Sequence, residues 1–346
     1  GPGGNGLYRP GGLWTSWPNR LLTLLLAAAL LAVLPGLADW ALGQAVWRPD
    51  AEACRALQGR GACWGVVAEK WRVILFGRYP ADAWWRPAAG TALLLGALVL
   101  AAGGRGGWWR RALLATGGLA ACVVLLAGCL PGLAPVASEQ WGGLPLTLLL
   151  AVTAMALALP LGVALALGRR GPWPVLRTLC AAYIELLRGL PLVPVLFMAA
   201  FLFPLFLPRA WGGNTLLRVL LALVLFAAAY LAEIIRGGLQ AIPASQEDCA
   251  RALGLGTWQV QRQVLLPQAL TAALPALVNS FIALFKDVSL VTVVSLHELT
   301  GSLTLALAGD AQWRGFYLEG YVFVGLIYWL GCFALSHFGR RLERRR

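Results

Sequence analysis

Charge is scarce in this chain. Asp, Glu, Lys and Arg make up 12% of its 346 residues, against about a quarter in soluble domains. That excludes an ordinary soluble domain. Lysine occurs only as Lys70 and Lys286. Neither follows the glycine spacing of a phosphate-binding loop, so no nucleotide site of that type is expected. The two histidines, His297 and His337, are far apart, and six of the seven cysteines lack a neighbour at metal-ligand spacing. No metal site, cofactor or catalytic cluster is therefore predicted. No Met opens the chain, so Gly1 reads as a processed or recombinant start. Residues 1–20 begin with glycines that cannot build a core, and read as a flexible cytoplasmic tail.

What the chain has is apolar length. Hydrophobic residues make up 59% and mean hydropathy is +0.72, which excludes disorder as well. An all-α polytopic membrane protein is the predicted class. Runs able to cross a bilayer need about 20 residues. Candidates fall at 21–38, 88–103, 112–130, 144–168, 175–203, 216–236, 269–295 and 320–338, giving about eight transmembrane helices. Net charge is +13, and its distribution orients the spans. Arg9, Arg20, Arg105, Arg110, Arg111, Arg169, Arg170, Arg177, Arg236, Arg251, Arg262, Arg340, Arg341, Arg344, Arg345 and Arg346 fall on one set of connections. The other set, apart from loop 39–87, holds Arg209, Arg218 and Arg314. Positive connections face the cytoplasm, which predicts both termini inside. Loop 39–87 is then outside, where Cys54 and Cys63 are predicted to form a disulfide. Cys122, Cys129, Cys180 and Cys332 read as small buried hydrophobes.

The connection 237–268 departs from the membrane pattern. Ser245 is placed to cap a helix with Asp248 as its reciprocal partner. Gly254 suits a left-handed helix end. Thr257 can cap a second short helix, which Pro267 closes off. Two short helices projecting from the membrane suggest a docking element.

Charges within spans are functional candidates. Glu185 and Arg188 fall about 12 and 17 Å into span 175–203 at helical rise, on one face. Gly189, Pro191 and Pro194 follow, and should bend or interrupt the helix. An ion pair fixing helix packing and direct substrate contact both fit. Asn279 lies on roughly the face of Lys286 in span 269–295, whereas Lys286 and Asp287 diverge by about 100°. Asn279, Lys286 and Asp287 join Glu185 and Arg188 as substrate-pathway candidates. Glu233 and Arg236, spaced i, i+3 at a span end, read as a structural charge pair.

Several of these residues carry a resemblance. Asp248-Cys249-Ala250, Gly254, and Val264, Leu266 and Pro267 resemble the coupling-loop motif of ABC importer permeases in spacing, with Asp, Cys and Val replacing Glu, Ala and Ile. Ala229 to Pro243, Glu185 to Pro191 and Phe285 to Leu290 resemble the polar amino-acid branch. Gly61 to Trp64, Phe76 to Pro80 and Trp85-Arg86 are similar to extended members found in general L-amino-acid importers. The resemblance implies a five-helix type I permease core over 140–340, with coupling loop 237–268, behind an extension at 21–139 that holds three transmembrane helices and periplasmic loop 39–87. It implies a bacterial inner-membrane subunit that moves amino acids inward and is not itself an enzyme. It also implies a partner ATPase dimer holding ATP and Mg, a second permease subunit, identical or homologous, and a periplasmic amino-acid-binding protein. Asp248, Cys249, Ala250, Gly254, Val264, Leu266 and Pro267 are then the ATPase-coupling residues. The competing reading is a secondary transporter or channel for a small polar solute, which would need ion-coupling carboxylates in the spans.

Overall fold

The computed structural model describes residues 16–57, 59–103, 107–206 and 214–344. Residues 1–15, and Arg105, Arg209, Arg345 and Arg346, lie outside the described residues. The chain divides into two compact units between Glu69 and Lys70.

In the first unit, α1 (Trp17–Ala38) runs into a wide π turn at Asp39–Gly43. Pro35 sits inside α1, where it cannot donate the usual backbone hydrogen bond. α2 (Ala51–Ala56) starts on Asp50, whose carboxylate accepts from the N–H groups of Glu52 and Ala53 at 3.0 Å each. Such caps satisfy otherwise orphaned donors. Cys54 and Cys63 are disulfide-bonded with Cα atoms 5.5 Å apart. The Trp64 indole packs against Trp40 and Trp47 and donates to the Ala41 carbonyl at 2.8 Å. α3 (Gly65–Phe76) leads into the second unit.

There, α4 (Trp85–Gly103) and α5 (Trp108–Ala127) form a hairpin. Arg86 is buried, donating through Nε to the Leu125 carbonyl at 3.0 Å and through Nη1 to Ala134 at 2.9 Å. Its charge meets the negative end of the α5 dipole. α5 stops at Gly128, left-handed at φ 73, and a Cβ there would lie 2.2 Å from Arg86. Cys129 falls beyond that stop and is exposed, contrary to expectation. Cys122 and Cys180 are buried, and Cys332 half-buried.

The remaining helices build the main core. α6 (Gly143–Arg170) packs along the later helix α10 (Thr215–Gln240), α10 along α13 (Leu266–Asp287), and α13 along α15 (Tyr317–Arg344). Small residues permit close approach: a Cβ on Gly162 would lie 2.9 Å from Leu231. Between α6 and α10, α7 (Pro174–Gly189) meets α8 (Leu192–Phe197), which continues through a π turn into α9 (Phe203–Phe206). After α10 come α11 (Ala244–Ala252), α12 (Thr257–Gln259) and a π turn at Val260–Leu265 leading into α13. A 3₁₀ segment at Val288–Val294 and α14 (Leu299–Ala308) separate α13 from α15.

Seven helical stretches among the described residues are long and apolar enough to cross a bilayer, and the bent α7–α9 pair makes up to eight. Span 175–203 is therefore not one straight crossing: the chain turns by 108° between α7 and α8. Pro191 forces the extended backbone seen at its predecessor Leu190 (ψ 141). A second correction concerns Pro267, which does not separate a loop helix from the membrane. It sits in the first turn of α13, and helix continues from Thr257 to Val294. Proline cannot donate to the carbonyl four residues back, and the preceding π turn accommodates it.

Candidate functional site

The knob between α10 and α13 is built from α11, α12 and the turn joining them. Pro243, not Ser245, occupies the position before α11, with no side-chain cap. Ser245 lies inside the helix, so its hydroxyl caps nothing and Asp248 has no reciprocal role there. Thr257 is likewise the first residue of α12, and Gly256 precedes it, its N–H bonded to the Gln259 side chain at 2.9 Å. Gly254 adopts φ +80 with no atom within 4 Å of a Cβ. Only its backbone conformation demands glycine. The turn returns the chain so that Leu255 N–H donates to the Ala250 carbonyl at 3.2 Å.

This turn sorts the motif residues. Ala250 is buried beneath α11, while Asp248 and Cys249 are exposed on it. Val264 and Leu266 are half-buried, and Pro267 is exposed. Leu253 and Trp258 project at 83% and 65% exposure, an apolar pair that the sequence motif did not single out. Glu247 turns the other way. Its carboxylate accepts from Arg251 at 2.7 Å and from Arg170, at the end of α6, at 3.0 Å.

Arg169 beside it belongs to a larger charge cluster. Arg169 pairs with Glu185 at 2.9 Å and lies 3.6 Å from Glu233. Glu233 takes both arms of Arg236 and lies 3.8 Å from Arg188. So Glu185 and Arg188 do not pair with each other. Glu185 is 65% exposed at the level of the α6 end. The bend after Gly189 makes α7 a separate amphipathic helix, so counting rise along a straight span misplaces its depth.

α13 presents a different surface. Gln268, Thr271, Ala272, Pro275, Ala276, Asn279, Ala283 and Lys286 are exposed at helical spacing. These residues are small or polar, whereas leucine is the commonest exposed residue on α1. Lipid favours the second kind of face, so the α13 stripe suits water or another protein surface. Asp287 is half-buried beside the stripe. Lys286 ends it, at the rim of a shallow 280 Å³ cavity shared with Ser289, Thr300, Tyr321, Val324, Gly325 and Tyr328.

Behind that cavity lies Glu298, fully buried and not anticipated from sequence. It accepts from the Tyr328 hydroxyl at 2.7 Å, the Thr147 hydroxyl at 3.3 Å, and the N–H groups of Thr300 and Gly301 at 2.9 and 3.1 Å. Burial pushes its carboxyl above the usual range, while these donors pull it back. Its signal was an acid set among apolar residues at the start of α14. No group of three or more potential metal ligands occurs among the described residues.

Comparison with known proteins places this architecture. Residues 158–346 match the family described as binding-protein-dependent transport system inner membrane component. The chain belongs to that family. It is 41% identical to the inner membrane amino-acid ABC transporter permease protein YhdY of Escherichia coli K12, over 96% of this chain and 90% of the relative. It is 35% identical to the glutamate/glutamine/aspartate/asparagine transport system permease protein BztC of Rhodobacter capsulatus, over 94% and 90%. A crystal structure of an amino acid ABC transporter with histidines aligns at TM-score 0.53 and 30% identity, covering 59% of this chain and 92% of that one. This family member is thus a multi-pass inner-membrane transport subunit, with the helical importer-permease fold and a longer chain than that solved relative.

Proposed function

We propose that the protein is the membrane-spanning subunit of an ATP-driven amino-acid importer, coupled to a separate ATPase through 237–268. The observation that carries the coupling role is the knob: Asp248 and Cys249 lie exposed on α11, held by the turn at Gly254. Leu253 and Trp258 extend that face. Ala250, Val264, Leu266 and Pro267 shape and support it. ATP and Mg belong to the partner ATPase. A second permease subunit completes the pathway, and a periplasmic binding protein delivers substrate. Both termini and the Arg169–Arg170 end of α6 lie in the cytoplasm, consistent with the arginine distribution. Closure of the ATPase pair moves α11, Glu247 and Arg170 carry the motion to α6, and the spans reopen outward. Residues 21–139 form the extension and 140–340 the permease core. The α13 stripe containing Asn279 and Lys286 lines the pathway, with Asp287 beside it. Glu185 and Arg188 act at its cytoplasmic end through Arg169 and Glu233.

The test is reconstitution with the ATPase and binding protein in vesicles. Amino-acid uptake should require ATP inside the compartment that exposes α11 and should survive proton and sodium ionophores. Uptake collapsed by an ionophore, with ATP present, would instead identify a secondary transporter.

A further inference from the structure

We infer that the cavity where α6, α10 and α11 meet binds a phosphate group, carried by an inner-leaflet lipid headgroup or free in the cytoplasm. The assignment needs only that the arginine-rich span ends face the cytoplasm, and is independent of what is transported. Arg169 and Arg170 from α6, Arg236 and Gln240 from α10, and Ala244 from α11 line 370 Å³ of space. Among the described residues, no acid lines it, and the rest of its wall is apolar. Small-molecule sites start at about 300 Å³, so this space suits a phosphate with a small attached group.

The charge balance around the cavity favours an anion. Arg169, Arg170, Arg188, Arg236 and Arg251 form ion pairs with Glu185, Glu233 and Glu247. Five guanidiniums thus share three carboxylates, and the set holds two more positive charges than negative ones. Asp248, the other acid on α11, is exposed and joins none of these pairs. Unmatched charge is costly to take out of water. Yet the side chains of Arg169, Arg170 and Arg236 are only 26, 42 and 33% exposed. They are partly stripped of water and still open to a ligand. A guanidinium has five donors in a planar fork that matches phosphate oxygens. Arg170 reaches Glu247 through Nη2, so further donors of the same group can serve a phosphate.

Position supports the same assignment. α6 and α10 end at Arg170 and Gln240, so the cavity lies where two spans leave the bilayer. Lipid phosphates sit at that level, and basic pockets between helices on the cytoplasmic side take anionic headgroups. α11 starts there as well. Pro243 precedes it without a side-chain cap, and Ala244, its first residue, lines the cavity. The first N–H groups of a helix lack partners within it, and its dipole puts partial positive charge at that end. One anion therefore answers both the surplus guanidiniums and the uncapped start of α11. A phosphate held there ties the first turn of the knob to the ends of α6 and α10.

Gln240 lines the cavity, is exposed and belongs to none of these ion pairs. Its charge can therefore be changed without dismantling them. The full chain is purified in neutral detergent with the subunits that stay bound. Native mass spectrometry then compares retention of phosphatidylglycerol with that of phosphatidylcholine, whose headgroup adds a cation. Phosphorus NMR linewidths follow binding of inorganic phosphate, and any phosphate held by an ATPase subunit cancels between variants. Gln240→Glu should weaken binding about tenfold or more, because a carboxylate a few Å away repels the anion. Gln240→Arg should tighten it about threefold. An effect on phosphatidylglycerol alone assigns the lipid headgroup, an effect on inorganic phosphate alone assigns the free ion, and an effect on both shows that the site takes either. Binding of both probes unchanged in the two variants overturns the site. Wild type that binds neither probe overturns it equally, as it would if a partner subunit's side chain filled the cavity. If Gln240→Glu assembles poorly, Gln240→Arg decides by itself, and unchanged binding there rejects the site.

Discussion

Two spans of this chain, α1 and α10, are almost equally apolar. Their mean hydropathies reach 2.5 and 2.2, yet none of the first is buried and 61% of the second is. Both contain alanine runs, Ala27 to Ala29 and Ala227 to Ala229. What separates them is the polar content. α10 carries Arg218, Glu233 and Arg236, each held by partners on its own helix or its neighbours. α1 has Asn19 and Arg20 in its first turn and Thr23, which bonds back to Asn19, and no charged residue after Arg20. Lipid solvates an apolar helix as well as a protein neighbour does. Hydropathy therefore identifies a crossing, and polar residues identify a crossing that meets protein.

The sharpest way to break this contrast is at the knob that continues from α10. Gly254→Val forces a β-branched residue into a left-handed turn. The protein should still reach the membrane, but ATPase association and transport should be abolished. Normal substrate-stimulated ATP hydrolysis by an assembled mutant would refute the coupling role. Next, Leu223→Ala in the buried face of α10 should cost about 2–5 kcal/mol, read as a lower thermal midpoint in detergent. Leu31→Ala on α1 should shift it by no more than about 0.5 kcal/mol. Equal shifts would show that α1 is packed after all.

The charged residues of the two regions should differ in the same way. Glu233→Gln removes the negative charge that Arg169, Arg188 and Arg236 share and should cost about 1–3 kcal/mol. Glu185→Gln, at an exposed pair, should cost no more than about 1 kcal/mol. If the two midpoints fall together, the exposed pair matters more than its solvation allows. The smallest effect on transport is expected from the first unit. Replacing Cys54 and Cys63 by Ser should loosen loop 39–69 locally, by about 2–3 kcal/mol in the chain-entropy account, while uptake stays within about twofold. Non-reducing mass spectrometry first checks the bridge itself.

Much of this was readable before any coordinates. Crossings were legible because a bilayer demands about 20 apolar residues in a row. The break at Gly189-Leu190-Pro191 was legible because proline limits the residue before it, and the turn at Gly254 because few residues tolerate positive φ. Capping assignments were less secure. Ser245 and Thr257 are good caps in isolation, but each fell one or two residues inside its helix, where Pro243 and Gly256 had already set the start. Boundary shifts of that size reverse a capping argument while leaving the helix in place.

Partner choice stayed hidden. Glu185 and Arg188 sit three residues apart, yet pair with Arg169 and Glu233 on other helices. Glu298 is held by Thr147 and Tyr328, 151 and 30 residues away. Local sequence sets backbone preference and the free energy of leaving water, so it specified a helical membrane protein, its bends and its projecting knob. Which charge answers which depends on helix rotation and a 108° turn between α7 and α8. Those follow from close packing among α6, α10, α13 and α15, a property of the assembled bundle and of no single segment.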